Sequence, residues 1–166
     1  MTTSVAETAR TPAHLAKELI ASNGFLLARI GLGFKSKVLA KLDEAGFDPY
    51  HYSSLVILDE RPRQTQAMMA DACALDPSRL VAVLDSLEER SLIERKRDPE
   101  DRRRHIVTIT PAGKRQLARL REIVKELEDE FFGALDATER KQLHELLVKV
   151  AADVDPRCAF YAKPAA

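Results

Sequence analysis

The sequence predicts a mainly α-helical chain that carries one small β-hairpin, and three observations predict it. Helix-start signatures recur along the chain, hydrophobic residues recur at three- and four-residue spacing, and a single segment reads as strand, turn and strand. With 166 residues and 45% hydrophobic residues, the chain can bury one core but not two full-sized independent ones.

Four helix starts share a capping residue followed by proline: Thr11-Pro12, Asp48-Pro49, Asp76-Pro77 and Thr110-Pro111. The capping side chain satisfies an otherwise orphaned amide, and the proline pre-sets the first helical turn. Asp136, with Glu139 three residues on, forms a capping-box pattern, and Thr65 opens a further helix at Gln66-Ala67-Met68-Met69-Ala70.

The first helix is expected from about residue 12 to about residue 44, because Leu26, Ile30, Phe34, Val38 and Leu42 recur at every fourth position. Gly24, Gly31 and Gly33 weaken or bend it. So long an apolar stripe needs a partner along its length. Residues 111 to 132 offer one through Leu117, Leu120, Val124, Leu127 and Phe131, and Leu143, Leu146, Leu147 and Val150 repeat the pattern in a last helix. These stripes suit packing within one chain, between two chains, or both.

Between Thr65 and Leu92 the spacing is that of a helix-turn-helix: a helix over about 65 to 73, the turn Ala74-Leu75-Asp76, and a second helix from Pro77 to about Ser91. In the second helix Leu80, Leu84 and Leu87 form an inward stripe, while Ser78, Arg79 and Ala82 lie away from it near the N-terminal end. Arg79 can donate two hydrogen bonds to a guanine edge, Ser78 can reach base or phosphate, and Ala82 can touch a thymine methyl. Thr65 and Gln66 open the preceding helix, where free amides and polar side chains can hold a phosphate.

The hairpin follows directly: Leu92-Ile93-Glu94-Arg95-Lys96-Arg97, the turn Asp98-Pro99-Glu100-Asp101, then His105-Ile106-Val107-Thr108-Ile109. Ile106, Thr108 and Thr110 share one face of it, and Val107 and Ile109 the other. Lys+Arg and Asp+Glu are equal at 26 each, so net charge does not announce a polyanionic partner. Distribution does, because Arg95, Lys96, Arg97, Arg102, Arg103 and Arg104 crowd one stretch. Asp101 can hold Arg103 extended towards a narrow minor groove, with Arg102 and Arg104 available for phosphates and Arg95 and Arg97 completing the basic wing.

Leu87-Glu88-Glu89-Arg90-Ser91-Leu92-Ile93-Glu94-Arg95, then Asp98-Pro99-Glu100-Asp101-Arg102-Arg103, then Val107-Thr108-Ile109-Thr110-Pro111-Ala112-Gly113, resembles the MarR family of bacterial regulators. The resemblance covers about residues 48 to 118 by motif, and the long flanking helices by pattern. The family usually has glycine where this chain has Ser91, which calls for a strained or different helix end.

The resemblance implies a winged helix-turn-helix with long N- and C-terminal dimerisation helices. Residues 1–47 would form an arm and first dimerisation helix, 48–110 the DNA-binding lobe, and 111–166 the C-terminal dimerisation helices and tail. It also implies a homodimer on a pseudo-palindromic double-stranded operator, with half-sites about 10 base pairs apart. The usual outcome in the family is repression, relieved by a small aromatic or phenolic effector bound between the dimer helices and the winged lobe. Tyr50, His51, Tyr52 and Arg29 are the candidate ligand residues here, although ordinary packing with a polar tip facing water is the favoured reading of each taken singly.

No glycine-rich phosphate loop, nucleophile elbow or paired acidic motif argues for an enzyme, and no cofactor is expected. His14, His51, His105 and His144 show no metal-ligand spacing, and Cys73 and Cys158 no disulfide-scaffold or metal spacing, with oxidant sensing a remote reading. No long uncharged apolar run and no signal-peptide layout are seen, so a soluble cytoplasmic protein with no membrane partner is expected. A winged helix used for protein contacts and a DNA binder without effector remain the alternatives.

Overall fold

The computed structural model describes residues 14–99 and 104–161, the last three of these by backbone alone. The order is α1 (Lys17–Ile20), α2 (Asn23–Glu44), α3 (Pro49–Glu60), β1 (Gln64–Thr65), α4 (Gln66–Cys73), α5 (Pro77–Glu89), β2 (Ile93–Arg97), β3 (His105–Ile109), α6 (Pro111–Phe131), α7 (Ala137–Val154) and a 3-10 helix at Pro156–Tyr161. The chain divides into two compact units within α2, between Ser36 and Lys37.

The N-terminal unit corrects the expectation of one unbroken helix from about residue 12. Helix is interrupted between Ile20 and Asn23, and Ser22 restarts it by accepting the Phe25 amide on its hydroxyl at 3.2 Å. A serine competes with the backbone for hydrogen bonds, so it favours a helix start over a helix interior. The expected Thr11-Pro12 start lies outside the described residues.

In the larger unit the capping residues read from the sequence cap in fact. Asp48 accepts from Tyr50 and His51 amides, Thr65 from Met68, Asp76 from Arg79, Thr110 from Gly113, and Asp136 from Thr138 and Glu139. The Asp48 cap is a reciprocal box in which His51 Nδ1 accepts the Asp48 amide at 3.1 Å. Two further ends use left-handed residues. Ala74, at φ 51°, closes α4, and Ser91, at φ 57°, follows α5 at the position where the resemblance leads one to expect glycine. The Ser91 amide donates to Glu88 carbonyl and the Leu92 amide to Leu87 carbonyl, closing the helix as a glycine would but with a Cβ to accommodate.

The hairpin pairs Ile93 with Ile109 through Arg97 with His105, matching the expected strands within a residue. A third strand was not anticipated: β1 pairs antiparallel with β3 through Gln64 and Thr65, giving the order β1-β3-β2. Two residues are too few to show alternation in sequence.

Leu55 and Leu58 of α3, Met69 of α4, Leu80, Leu84 and Leu87 of α5, Ile93 and Val107 of the hairpin and Leu117 and Leu120 of α6 are all buried around one core, joined by Leu42 of α2. The α6 stripe is therefore satisfied within the chain. The α7 stripe is not, since Leu146 is 63%, Val150 55% and Val154 78% exposed. Arg140 ties the start of α7 to the end of α6 through Asp129 at 2.6 Å, and Arg157 of the 3-10 helix donates to the Asp71 carbonyl at the end of α4.

Candidate nucleic-acid interface

The inward stripe of α5 fixes its outward face. With Leu80, Val83, Leu84 and Leu87 buried, Ser78, Arg79, Val81 and Ala82 are all exposed at its N-terminal end. Val81, 40% exposed, was missed by the sequence reading, although its place one residue after the inward Leu80 was the available signal. An exposed valine beside Ala82 adds a second apolar contact of the kind a thymine methyl accepts.

The two helix starts differ electrostatically. At α5 the Asp76 carboxylate takes the Arg79 amide at 3.0 Å and the Ser78 hydroxyl at 2.5 Å, and these bonds hold its pKa below the ordinary aspartate value. An ionised cap leaves little attraction there for a phosphate. At α4 the cap is the neutral Thr65 hydroxyl, which accepts the Met68 amide. The start of α4 opens on a recess of about 450 Å³ lined by Thr65, Gln66, Ala67, Met68, Arg104 and His105. Free helix amides with a nearby guanidinium suit an anionic oxygen. The structure thus brings Thr65, Gln66 and Arg104 together, and adds Met68 and His105, which sequence reasoning had not placed there.

Arg95 is committed elsewhere. Its Nε donates to Glu88 at 2.8 Å and its Nη2 lies 2.7 Å from Asp85, both on α5. The Arg95 hydrogen bond depresses the Glu88 pKa, and Glu88 in turn raises that of Arg95. The sequence had counted Arg95 among the wing's DNA contacts. In the structure it braces the hairpin against α5, its charge offset by two carboxylates. Arg97, on the same strand nearer the tip, is exposed and has no acidic partner among the described residues. Lys96 pairs with Glu94 at 2.9 Å. Beside them a recess of about 320 Å³ is lined by Arg63, Lys96, Arg97, Ile106 and Thr108, among others. Asp101, Arg102 and Arg103 lie outside the described residues.

The candidate ligand residues differ in their surroundings. Arg29 is exposed on α2. His51 is 9% exposed, its Nδ1 spent on the Asp48 cap, its ring edge-on to Phe47 and its Nε2 buried without a partner. Burial lowers its pKa against the raising pull of Asp48. Tyr52 packs against the core and burial raises its phenol pKa. Tyr50 lies beneath the Arg79 guanidinium, whose Cζ stands over its ring at 4.6 Å. No cluster of three or more potential metal ligands occurs among the described residues, and no helix there is long and apolar enough to cross a membrane.

A model of the MarR family matches residues 49–105. A curated relative, the putative transcriptional regulatory protein for the hcr operon of Thauera aromatica, is 35% identical over 105 residues, a match spanning 63% of this chain and 63% of that protein. That span falls just short of two thirds of the relative's length. Among solved structures, CouR from Rhodococcus jostii RHA1 bound to p-coumaroyl-CoA is 31% identical, with a TM-score of 0.68 over 82% of this chain and 96% of its own. The transcriptional repressor CouR bound to a 23-mer DNA duplex is 32% identical, with a TM-score of 0.74 over 84% and 99%.

Proposed function

This chain belongs to the MarR family, and from that premise we propose that it acts as a homodimer on a pseudo-palindromic duplex, repressing a promoter until a small aromatic or phenolic ligand releases it. The relatives compared above are described as transcriptional regulators, which supports a regulatory role of the MarR type for it rather than an enzymatic one. The observation that carries the reading is the exposed end of α5, where Ser78, Arg79, Val81 and Ala82 face solvent, and the α4 recess that Thr65, Gln66 and Arg104 line adds to it. Major-groove readout needs such a helix end, and phosphate contacts from Thr65, Gln66, Arg97 and Arg104 would orient it. Arg103, held by Asp101, would enter the minor groove, with Arg102 on a phosphate.

Dimerisation is supported by apolar surface that water would otherwise hydrate. In the larger unit this is the Leu146, Val150 and Val154 face of α7, and in the N-terminal unit Leu27 and Leu32 are 54% and 70% exposed. A second copy covers such surface and doubles a weak reader into a useful one. CouR takes both a duplex and an aromatic acyl thioester, which supports an effector of that chemistry here. Tyr50, His51 and Tyr52 of the larger unit are proposed to face it, with the His51 Nε2, unpartnered among the described residues, as a donor that a ligand oxygen would satisfy, and Arg29 of the N-terminal unit is proposed on its own as a contact for an anion.

The test is equilibrium binding to the DNA upstream of its own gene against a scrambled duplex, across a salt series, with aromatic acids and p-coumaroyl-CoA added. Sequence-preferring binding with a steep salt slope supports the regulator reading, and release by a panel member supports the effector. Binding without any sequence preference contradicts the first. Tight binding that no aromatic compound weakens contradicts the second.

A further inference from the structure

We propose that Tyr50 is a positioning residue for base readout, holding the Arg79 guanidinium in place so that it discriminates one base pair in each half-site. The inference rests on the DNA-binding reading above. It begins with two helix starts. Asp48 accepts the amide of Tyr50 at 2.8 Å, and Asp76 accepts the amide of Arg79 at 3.0 Å, so each partner is anchored at its backbone by a neighbouring cap. Pro49 and Pro77 fix the first turn beneath each of them. Tyr50 is also packed against the core, so its ring is a platform with little freedom of its own.

Arg79 stands over that platform, its Cζ 4.6 Å from the ring centroid, within the range at which a cation is drawn to an aromatic face. The contact uses no hydrogen-bond donor. Among the described residues no acidic side chain pairs with Arg79, and the nearby Asp76 carboxylate is occupied by the Ser78 hydroxyl and the Arg79 amide. Other arginines also give their N–H donors to acceptors within the chain, Arg95 to Asp85 and Glu88, Arg121 to Asp59, and Arg90, which likewise stands over a ring, that of Phe47, to the Gly46 carbonyl. Arg79 therefore keeps its N–H donors for an external acceptor while its long side chain is already partly ordered. Ordering paid before binding is not paid again on the correct base, which raises discrimination as well as affinity.

Tyr50→Phe keeps the aromatic face, and Tyr50→Leu keeps apolar bulk without it. On the site that the full-length protein prefers, single base-pair substitutions identify the position at which Arg79→Ala loses discrimination. Tyr50→Leu should lose roughly three- to fivefold of discrimination at that same pair, the scale of an exposed cation–π contact, and Tyr50→Phe should retain most of it. In the Arg79→Ala background, Tyr50→Leu should change nothing further there. Thermal unfolding of each variant separates these effects from misfolding. Unchanged discrimination in Tyr50→Leu, or a loss spread evenly over every position, overturns the inference while leaving the regulator reading intact. A wild-type protein with no preferred site overturns both.

Discussion

Arg95 of β2 and Glu88 of α5 are joined by three hydrogen bonds: the Arg95 amide, Nε and Nη2 all donate to the Glu88 carboxylate. This pair fastens the hairpin to the helix that would read DNA, and it sorts the wing's arginines into two kinds. Glu88→Ala should lower stability by about 1 kcal/mol, near the low end for charged hydrogen bonds because Glu88 is partly exposed. On DNA, Arg97→Ala should reduce the slope of log affinity against log salt by about one unit, while Arg95→Ala leaves the slope unchanged. Equal slope losses would mean that Arg95 leaves Glu88 for a phosphate.

Ser91 occupies a left-handed position at φ 57° that suits glycine. Ser91→Gly should therefore stabilise the protein by roughly 1 kcal/mol, a rise of about 2–4 °C in melting temperature. A fall in melting temperature would show that the serine side chain supplies something the backbone geometry does not.

Gly113 sits in the first turn of α6, where a Cβ would lie 2.0 Å from the Leu92 carbonyl oxygen and 2.8 Å from Ile109. The Leu92 carbonyl is itself fixed by the Thr110 amide at 3.0 Å, so it has little room to yield. Gly113→Ala should cost about 3 kcal/mol or more. Gly31→Ala is the control, since nothing lies within 4 Å of its added methyl, and helix propensity alone should make it stabilising by about 1 kcal/mol. Denaturant unfolding of the two variants in parallel checks the contrast, which similar midpoints would contradict.

His51 gives the fold a pH dependence of definite sign. Burial lowers its pKa in the folded protein below the ordinary histidine value, although Asp48 pulls the other way and Arg90 adds to the lowering. The unfolded chain then binds more protons than the folded one, so this contribution is complete above the unfolded pKa of about 6.5 and is lost as pH falls through the folded value. Protonation also removes the Nδ1 acceptor of the Asp48 cap. His51→Gln keeps an acceptor for the cap without a titrating group, so its stability should fall less than that of wild type between neutral and mildly acidic pH. Parallel falls in the two proteins would assign the acid sensitivity to other groups.

The fold class was legible because its punctuation is local. Asp48, Asp76, Thr110 and Asp136 announce helix starts within three residues of themselves, and the Leu80, Leu84 and Leu87 stripe orients α5 unaided. What escaped was either too short or too distant. β1 is a two-residue strand defined only by its pairing to β3, and the break at Ser22 lies ahead of the hydrophobic stripe, which starts at Leu26 and carries no information about it. The histidine capping box was invisible because the usual signature has Glu or Gln in place of His51. The fates of Arg95 and Arg79 depend on partners in other elements, Glu88 and Tyr50, and a count of basic residues carries no information about which are already paired. The candidate interface was therefore readable as a list of residues, while its division of labour required the fold.

Two copies of α5 reading one duplex would leave their symmetry in the DNA that the protein selects from a random duplex library. The selected sites should be pseudo-palindromes whose half-sites are centred about 10 base pairs apart, and binding should be lost when five base pairs are inserted between them. Enrichment of a lone half-site with no symmetry, or binding indifferent to the insertion, would contradict it.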